Sequence, residues 1–424
     1  MGTTPAIQNA IRALGVEPLS EAGVVEHLHP LFSRSLARNE RTGEIYLANH
    51  SLGRPMDATG EEMTRSLDAW YDELDGAWDQ WIDARDCFRK RIASIIGCTQ
   101  WDAVVPKTSA GQGLRAAINA LPRRDGPPTI VATRGEFDSI DFILKAYEHK
   151  GSARIVWVDA DDDGLLHSGD LIDAITDETD LVVCSMVGFV TGQWMVDLDR
   201  VVEATHRHDA LMFVDAYHAF GTVPIDFEAL NADFMVGGGY KYIRGGPGAC
   251  FLAIHPRHLS SEGGVPDKDG LFTTDTGWFA KQDTFGYTRS DAPAFAPGGD
   301  AWLESTPPAM VYAQANPGLE LVAGIGVGRL RDYSLAQQDH LCDALRGHGV
   351  SARVLAHRGA FVLIPSETGT EAIVALKAQG VNADGRPCPK TGRFMVRLCP
   401  DLLNTKDELS EAARRIGKAM GSGQ

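Results

Sequence analysis

Lys241 stands in the run GGGYKYIRGGPGACFL, positions 237–252, between Tyr240 and Tyr242 and among glycines and a proline. Glycine is used where backbone must approach something closely or take positive φ. A long cation in such a stretch is a phosphate contact, a snorkelling surface residue or a nucleophile, and lysine is seldom buried without a task. Other residues able to do chemistry fall at comparable places. FVDAYH puts Asp215 and His218 just past one apolar run, and VGGGYK puts Tyr240 and Lys241 past the next. MVGFVTG puts Thr191 past an earlier run, and TRGEF puts Phe137 past another. PKTSAGQG sets Ser109 and Ala110 in a small-residue turn ahead of the helical pattern LRAAINAL. Each alone could be polar only because its strand leaves the core. Ligands of α/β sheets bind beyond the carboxyl ends of the strands, so together these residues converge on one cleft.

An acid, a histidine, an aromatic, a phosphate-cradling turn and a lysine suit pyridoxal 5'-phosphate, whose aldehyde condenses with a lysine amine. Asp215 would pair with the ring nitrogen and keep it protonated, each charge offsetting the other's burial. The phosphate would sit on the free N–H groups and dipole of the helix that opens at Ser109-Ala110. Phe137 would lie flat on the ring.

The elements that must position these groups are legible in the middle of the chain. PTIVATRGEF, ARIVWVDAD, DLVVCSMV, ALMFVDAYH, ADFMVGGG and ACFLAIH read as buried strands, with helical spacing in SGDLIDAIT and DLDRVVEATHRH between them. Near-continuous β-branched runs separated by helices predict an α/β fold with a mostly parallel sheet covered on both faces. Positions 260–308 are rich in Gly, Pro, Asp and Thr and read as a long functional loop. Helical patterns resume after Pro307-Pro308, and EAIVALKAQGV with RFMVRLCP suggests a smaller α+β domain closing the chain. The expected division is an N-terminal segment 1–55 associated with the small domain, a cofactor-binding domain 56–308 and a small domain 309–424.

FVDAYHAFGTVPIDF followed by MVGGGYKYIRGGPGACFLAIH resembles the class-V aminotransferases of the fold-type-I pyridoxal-phosphate superfamily. Within it the Tyr-Lys-Tyr and Gly-Gly-Pro-Gly elements resemble the kynureninases, as do YLANHSLGRP, TGWF, ESTPPAM and RFMVRLCP, in that order along the chain. The resemblance implies the fold-type-I architecture and assigns roles. Lys241 would carry the cofactor and shuttle the Cα proton, Asp215 would meet the ring nitrogen, and His218 would lie near the ring stacked by Phe137. Ser109, Ala110, Thr191, Tyr240 and, from the partner subunit of a homodimer, Trp278 and Thr306 would surround the phosphate. Arg397 would clamp the substrate carboxylate with its planar fork, and His50 would contact substrate. Tyr240 would also donate a proton during carbon–carbon cleavage. The implied activity is hydrolysis of kynurenine or a related aryl-ketone amino acid to alanine and an anthranilate. Alternatives on the same cofactor are transamination, epimerisation and carbon–sulfur cleavage; for the last, Cys388 is the loop-like cysteine. The chain departs from the pattern at His50, where kynureninases have asparagine. It departs again at Ile140, where they have an aspartate three residues after the stacking phenylalanine; Asp141 is a slipped equivalent at most.

Composition bounds the rest. The chain has 424 residues, 44% hydrophobic and 23% charged, and a formal net charge of −17, which argues against a nucleic-acid partner. It is long enough to bury roughly 75% of its unfolded surface. No apolar run reaches membrane-spanning length, and the N-terminal stretch lacks the pattern of a secretory signal. The seven cysteines are dispersed without a CxxC pair, which reads as reduced, cytoplasmic and without a zinc site. DADDDGLLHSGD has calcium-loop spacing but follows a strand, so a polar turn is the simpler reading. GIGVGRL follows a helical pattern and reads as close helix packing, not dinucleotide binding. The HLH and HRH pairs read as solvated.

Overall fold

The computed structural model describes residues 4–122, 126–286 and 289–420. Its first strand, β1 (Ile45–Tyr46), precedes a seven-stranded sheet built from β2 (Val104–Lys107), β3 (Thr129–Thr133), β4 (Arg154–Val158), β5 (Leu181–Ser185), β6 (Leu211–Asp215), β7 (Phe234–Gly238) and β8 (Cys250–Ile254). The spatial order is β2-β8-β7-β6-β5-β3-β4. From β4 to β7 all neighbours are parallel, while β8 runs antiparallel to both β7 and β2. The six strands expected from sequence are all in this sheet; edge strand β2, only four residues long, was not.

Every residue of β3, β5 and β7 is buried. The reason is that helices cover both faces, so no position along these strands can be polar without loss. One face packs Val131, Val182 and Val214 into one core, and the other packs Ile130, Val183 and Phe213 into a second. Polar residues stand at the strand ends: Thr129 and Arg154 open β3 and β4, and Thr133, Ser185 and Asp215 stand at the carboxyl ends of β3, β5 and β6.

β9 (Val362–Ser366), β10 (Val381–Asn382), β11 (Asp384–Pro387) and β12 (Phe394–Leu398) follow helix Val327–Gly347, with helix Thr370–Ala378 between β9 and β10 and helix Lys406–Met420 after β12. β11-β12-β9 form an antiparallel sheet, and β1 pairs in parallel with β10, so the N-terminal segment is stitched to this C-terminal layer.

Sequence patterns left 57–96 unassigned. There the structure has helices Asp57–Glu73 and Ala77–Ile96, packed on the long helix Ala309–Ile325. Arg89, fully buried, ties the second of these to β2: Nε donates to Val104 O at 2.8 Å and a terminal nitrogen to the Asp300 carboxylate at 2.6 Å. The 260–308 region is irregular, holding short 3₁₀ turns at Trp278–Ala280 and Gly298–Trp302. Gly326, at φ +89°, joins helix Ala309–Ile325 to helix Val327–Gly347, so GIGVGRL is a helix junction. Within DADDDGLLHSGD the Asp161 carboxylate accepts from the Asp163 and Leu165 N–H groups and pairs with His167. His206 is not merely solvated: with Arg257 and His258 it converges on the buried carboxylate of Asp233. No helix among the described residues is long and apolar enough to cross a membrane.

Candidate active site

The lysine turn between β7 and β8 is held from three sides. Beneath it, Gly318 of helix Ala309–Ile325 is so close to the Ile243 carbonyl that an added Cβ would lie 1.7 Å from its oxygen. Above it, Gly53 donates to Tyr240 O at 2.9 Å, and a Cβ there would meet the Lys241 carbonyl at 2.0 Å. At its end, Arg244 takes a left-handed conformation at φ +62° and shares the Asp401 carboxylate with Arg54. An arginine in that region is strained, and a buried ion network is what can hold it there. The glycines that framed Lys241 in the sequence therefore mark close backbone approaches.

Lys241 is buried. Its Nζ lies 2.7 Å from His218 Nε2, and His218 Nδ1 lies 3.0 Å from the Tyr242 hydroxyl. The rings of Phe137, Tyr217 and Tyr240 surround the amine, with centroids 5.6–5.8 Å away. Burial pushes the Lys241 amine down, Asp215 opposes this, and Arg397 pushes it further down. Burial pushes the Asp215 carboxyl up against the Tyr217 N–H and Lys241, which pull it down. Asp215 Oδ1 accepts that N–H at 2.8 Å. His218 is kept neutral by burial and by the Lys241 and Arg397 charges. A lysine that sheds its proton readily is a nucleophile rather than a structural cation.

Arg397 and Asp384 are directly opposite each other on β12 and β11. Asp384 accepts from Arg397 Nε at 2.9 Å and from NH2 at 2.7 Å, while NH1 donates to Phe189 O. The same Asp384 carboxylate binds His50 Nε2. His50 is fully buried against Phe361, and its Nδ1 has no partner. Burial first, then Arg397, lowers its pKa to about 4, so the ring is neutral with Nδ1 as a free acceptor. The guanidinium also lies over the rings of Phe189 and Phe361, which line the space toward His218.

Ser109 caps helix Ala110–Ile118, accepting from the Gln112 N–H at 3.2 Å, while Gln112 Oε1 reaches back to the Thr108 N–H at 2.8 Å. Thr108 and Ser109 are exposed. Glu304 ties this end to the irregular region, accepting from Lys107 at 2.6 Å and from Gln112 Nε2 at 2.8 Å. Nearby, Trp278 Nε1 donates to Thr306 Oγ1 at 3.3 Å. Thr191 lies in the turn after β5. It packs near Gly164 and accepts from the Gln193 N–H.

The structure thus gathers Lys241, Asp215, His218, Phe137, Tyr240, His50 and Arg397. Asp141, the slipped equivalent left open from sequence, pairs with Lys145 at 2.7 Å one turn along its own helix, while Ile140 is fully buried. The buried acid beside Asp215 is Glu136. Sequence reasoning also missed Asp384, Phe189, Phe361 and Glu304. Glu136, within the TRGEF segment itself, was the detectable one.

The Aminotransferase class-V profile matches residues 56–263. The chain is 27% identical to a kynureninase of Deinococcus radiodurans over 251 residues, 59% of this chain and 56% of that protein. It is 28% identical to the Pseudomonas fluorescens kynureninase over 352 residues, 78% and 77% of the two chains. The Bacillus subtilis protein called uncharacterized aminotransferase YcbU is 28% identical over 333 residues, 77% of this chain and 82% of that one.

The chain is thus similar to the class-V aminotransferases over residues 56–263, just under half its length, and to curated kynureninases.

The class-V fold is seen in solved structures too. The cystine C-S lyase C-DES, solved in complex with cysteine persulfide, gives a TM-score of 0.76 at 18% identity, covering 88% of this chain and 97% of that one. The cysteine desulfurase of Thermococcus onnurineus NA1 gives 0.75 at 18%, covering 90% and 95%. The class-V cofactor is pyridoxal 5'-phosphate, and the residues present fit it. Lys241 offers an easily deprotonated amine, Asp215 a buried carboxyl beside it, and Ala110–Ile118 a helix N-terminus capped but open to solvent.

Proposed function

We propose that this chain hydrolyses the Cβ–Cγ bond of kynurenine or a related aryl-ketone amino acid, giving alanine and an anthranilate. The observation that carries the reading is a two-ended, aromatic-walled site. Arg397 lies at one end over Phe189 and Phe361, and Lys241 lies at the other among Phe137, Tyr217 and Tyr240. Similarity to curated kynureninases supports it. Anchoring both ends of a substrate fixes the carbonyl between them for attack by water.

Lys241 would hold the cofactor, Asp215 its ring proton, and the Ser109-Ala110 helix end its phosphate. Bound there, the cofactor withdraws electrons from substrate bonds at Cα and Cβ. Arg397 grips the substrate carboxylate. The freed Lys241 amine, its pKa lowered by burial to about 7, takes the Cα proton, and His218 accepts a hydrogen bond from that amine. His50 offers Nδ1 to a donor on the substrate. Water adds to the γ-carbonyl, and the Tyr240 hydroxyl, held protonated by a pKa raised to about 12, gives a proton to Cβ as the bond breaks. Lys241 returns its proton to Cα, so alanine leaves with both protons; of the two protons of the added water, one restores the Tyr240 hydroxyl and the other goes to solvent as the acyl group leaves as a carboxylate.

The site is completed across a homodimer on this reading. Trp70, Tyr71 and Leu74 are exposed. Trp70 and Leu74, with Trp78, Trp81, Pro307 and Pro308, line an apolar groove of 620 Å³ that reaches Thr306. Exposed patches of this kind mark interfaces, and a second copy seated there would bring Thr306 and Trp278 to its phosphate site.

Incubation with kynurenine or 3-hydroxykynurenine, without keto acid, should yield alanine and an anthranilate in equal amounts by mass spectrometry. Keto acid with cofactor converted to its amine form would establish transamination instead, the reading that similarity to the protein called uncharacterized aminotransferase YcbU supports. The carbon–sulfur route has less support. Cys388 is buried, its Sγ 3.1 Å from where a Cβ on Gly164 would lie, so it is no mobile thiol.

A further inference from the structure

Glu136 is fully buried at the end of β3, one residue before Phe137. Its Oε1 accepts from the Thr133 hydroxyl and from the Ser185 N–H at 3.0 Å; its Oε2 lies 2.6 Å from the Ser185 hydroxyl. Ser185 is the register partner of Asp215 on the adjoining parallel strand. Among the described residues no lysine, arginine or histidine forms an ion pair with Glu136. Of the charged groups around it, Arg134 and Asp138 are exposed and Asp141 is paired with Lys145. Cys184 of β5 is buried and kept protonated by burial and by both acids. Lys241, whose Nζ lies 2.7 Å from His218 Nε2, acts on Asp215 in the opposite sense, lowering its pKa. The one buried charge that Glu136 feels is therefore of its own sign.

We propose that Glu136 is a positioning residue behind the cofactor ring, the second member of a carboxyl pair with Asp215. While Glu136 is protonated the pair carries one negative charge, held at Asp215. When Glu136 ionises, a second negative charge behind Asp215 tightens the hold on the ring-nitrogen proton. Burial and the Asp215 charge push Glu136 up to about 7, so the change falls near neutrality. Two neighbouring acids do not ionise together without such a separation. The inference rests on Asp215 facing the ring nitrogen, as proposed above.

The test follows the ring-nitrogen resonance of the holoenzyme loaded with ¹⁵N-labelled pyridoxal phosphate, from pH 6 to 9. In the native protein this resonance should move near neutrality. In Glu136→Gln, which keeps the hydrogen-bonding shape but not the charge, that movement should be absent, while pyridoxal-phosphate affinity at pH 6 stays within about threefold. Ser185→Ala, which removes one hydrogen bond to the ionised form, should shift the movement upward in pH. An identical profile in native and Glu136→Gln proteins overturns the proposal, as does an affinity loss equal at pH 6 and pH 9, the signature of a merely structural role. Asp215→Asn distinguishes the premise: if it leaves the ring resonance unchanged at every pH, the placement of Asp215 fails and the pair with it.

Discussion

Removing Arg397 should damage substrate binding in two separable ways. The guanidinium has five N–H donors. Three are used within the chain: Nε and one NH2 hydrogen on Asp384, and one NH1 hydrogen on Phe189 O. The two left over, one on each terminal nitrogen, lie at the end of the fork, where a carboxylate binds in bidentate fashion. Hydrogen bonds to charged groups contribute about 1.5–3 kcal/mol each without adding fully, so losing both costs about 3 kcal/mol, or roughly 150-fold in affinity. Arg397→Ala also strands Asp384 beside the incoming carboxylate. Two like charges about 6 Å apart at an effective dielectric of about 20 repel by about 3 kcal/mol. Arg397→Ala should therefore weaken amino-acid binding on the order of ten-thousand-fold, and Arg397→Ala/Asp384→Asn should recover about a hundredfold. The assay is a spectral titration of the holoenzyme with a carboxylate-bearing amino acid, alongside KM, with cofactor affinity as control. If Arg397→Ala binds within about threefold of the native protein, or the double variant binds no tighter than the single, the clamp is elsewhere.

Borohydride reduction and peptide mapping should find pyridoxyl on Lys241; label on Lys107 or Lys281 instead would overturn the site. Mixing an inactive Lys241→Ala protein with an inactive Thr306→Ala or Trp278→Ala protein should restore part of the activity after subunit exchange, and a fully active monomer would refute the shared site. Glu136 also makes a stability prediction for the apo-protein. Its folded pKa lies above its unfolded one, so the folded state holds the extra proton; the stabilisation is complete below pH ~4.5 and is lost as pH rises through 7, about 3 kcal/mol in all. Glu136→Gln should flatten that decline in denaturant melts between pH 5 and 8, and an unchanged slope would show that Glu136 does not titrate there.

What could be read from the sequence was what repeats along it or lies close within it. The β-branched runs from 128 to 254 are apolar at almost every position because both sheet faces are covered, and that pattern does not depend on knowing the partners. Lys241 was conspicuous because its glycines are close-approach sites, as Gly53 and Gly318 are from the other side. Edge strand β2 was missed because four residues carry too little period to show, and it is fixed by pairing with β8, some 150 positions away. Asp384 was invisible for the same reason. Its value comes from the register that sets it opposite Arg397 and from His50, 334 positions distant. Asp141 was left open because spacing from Phe137 counts positions along the chain, whereas helix geometry sets Asp141 beside Lys145 and buries Ile140.

The charges of the site form one circuit, and this bears on why a buried arginine stands so near a lysine that must act as a base. Arg397 lowers the basicity of Lys241, His218 and His50 together. With no substrate carboxylate, Asp384 offsets only part of that field, because it divides its oxygens between Arg397 and His50. On the proposed function, a substrate carboxylate on the free end of the fork would cancel the remainder. Lys241 would then become the stronger base when an amino acid is in place, and the effect would vanish when the carboxylate leaves. Clamp and proton acceptor would thereby be coupled through charge. The coupling needs the site to be dry, since water would screen the arginine from the lysine. Phe189 and Phe361, packed on the guanidinium and on the histidines, keep it so.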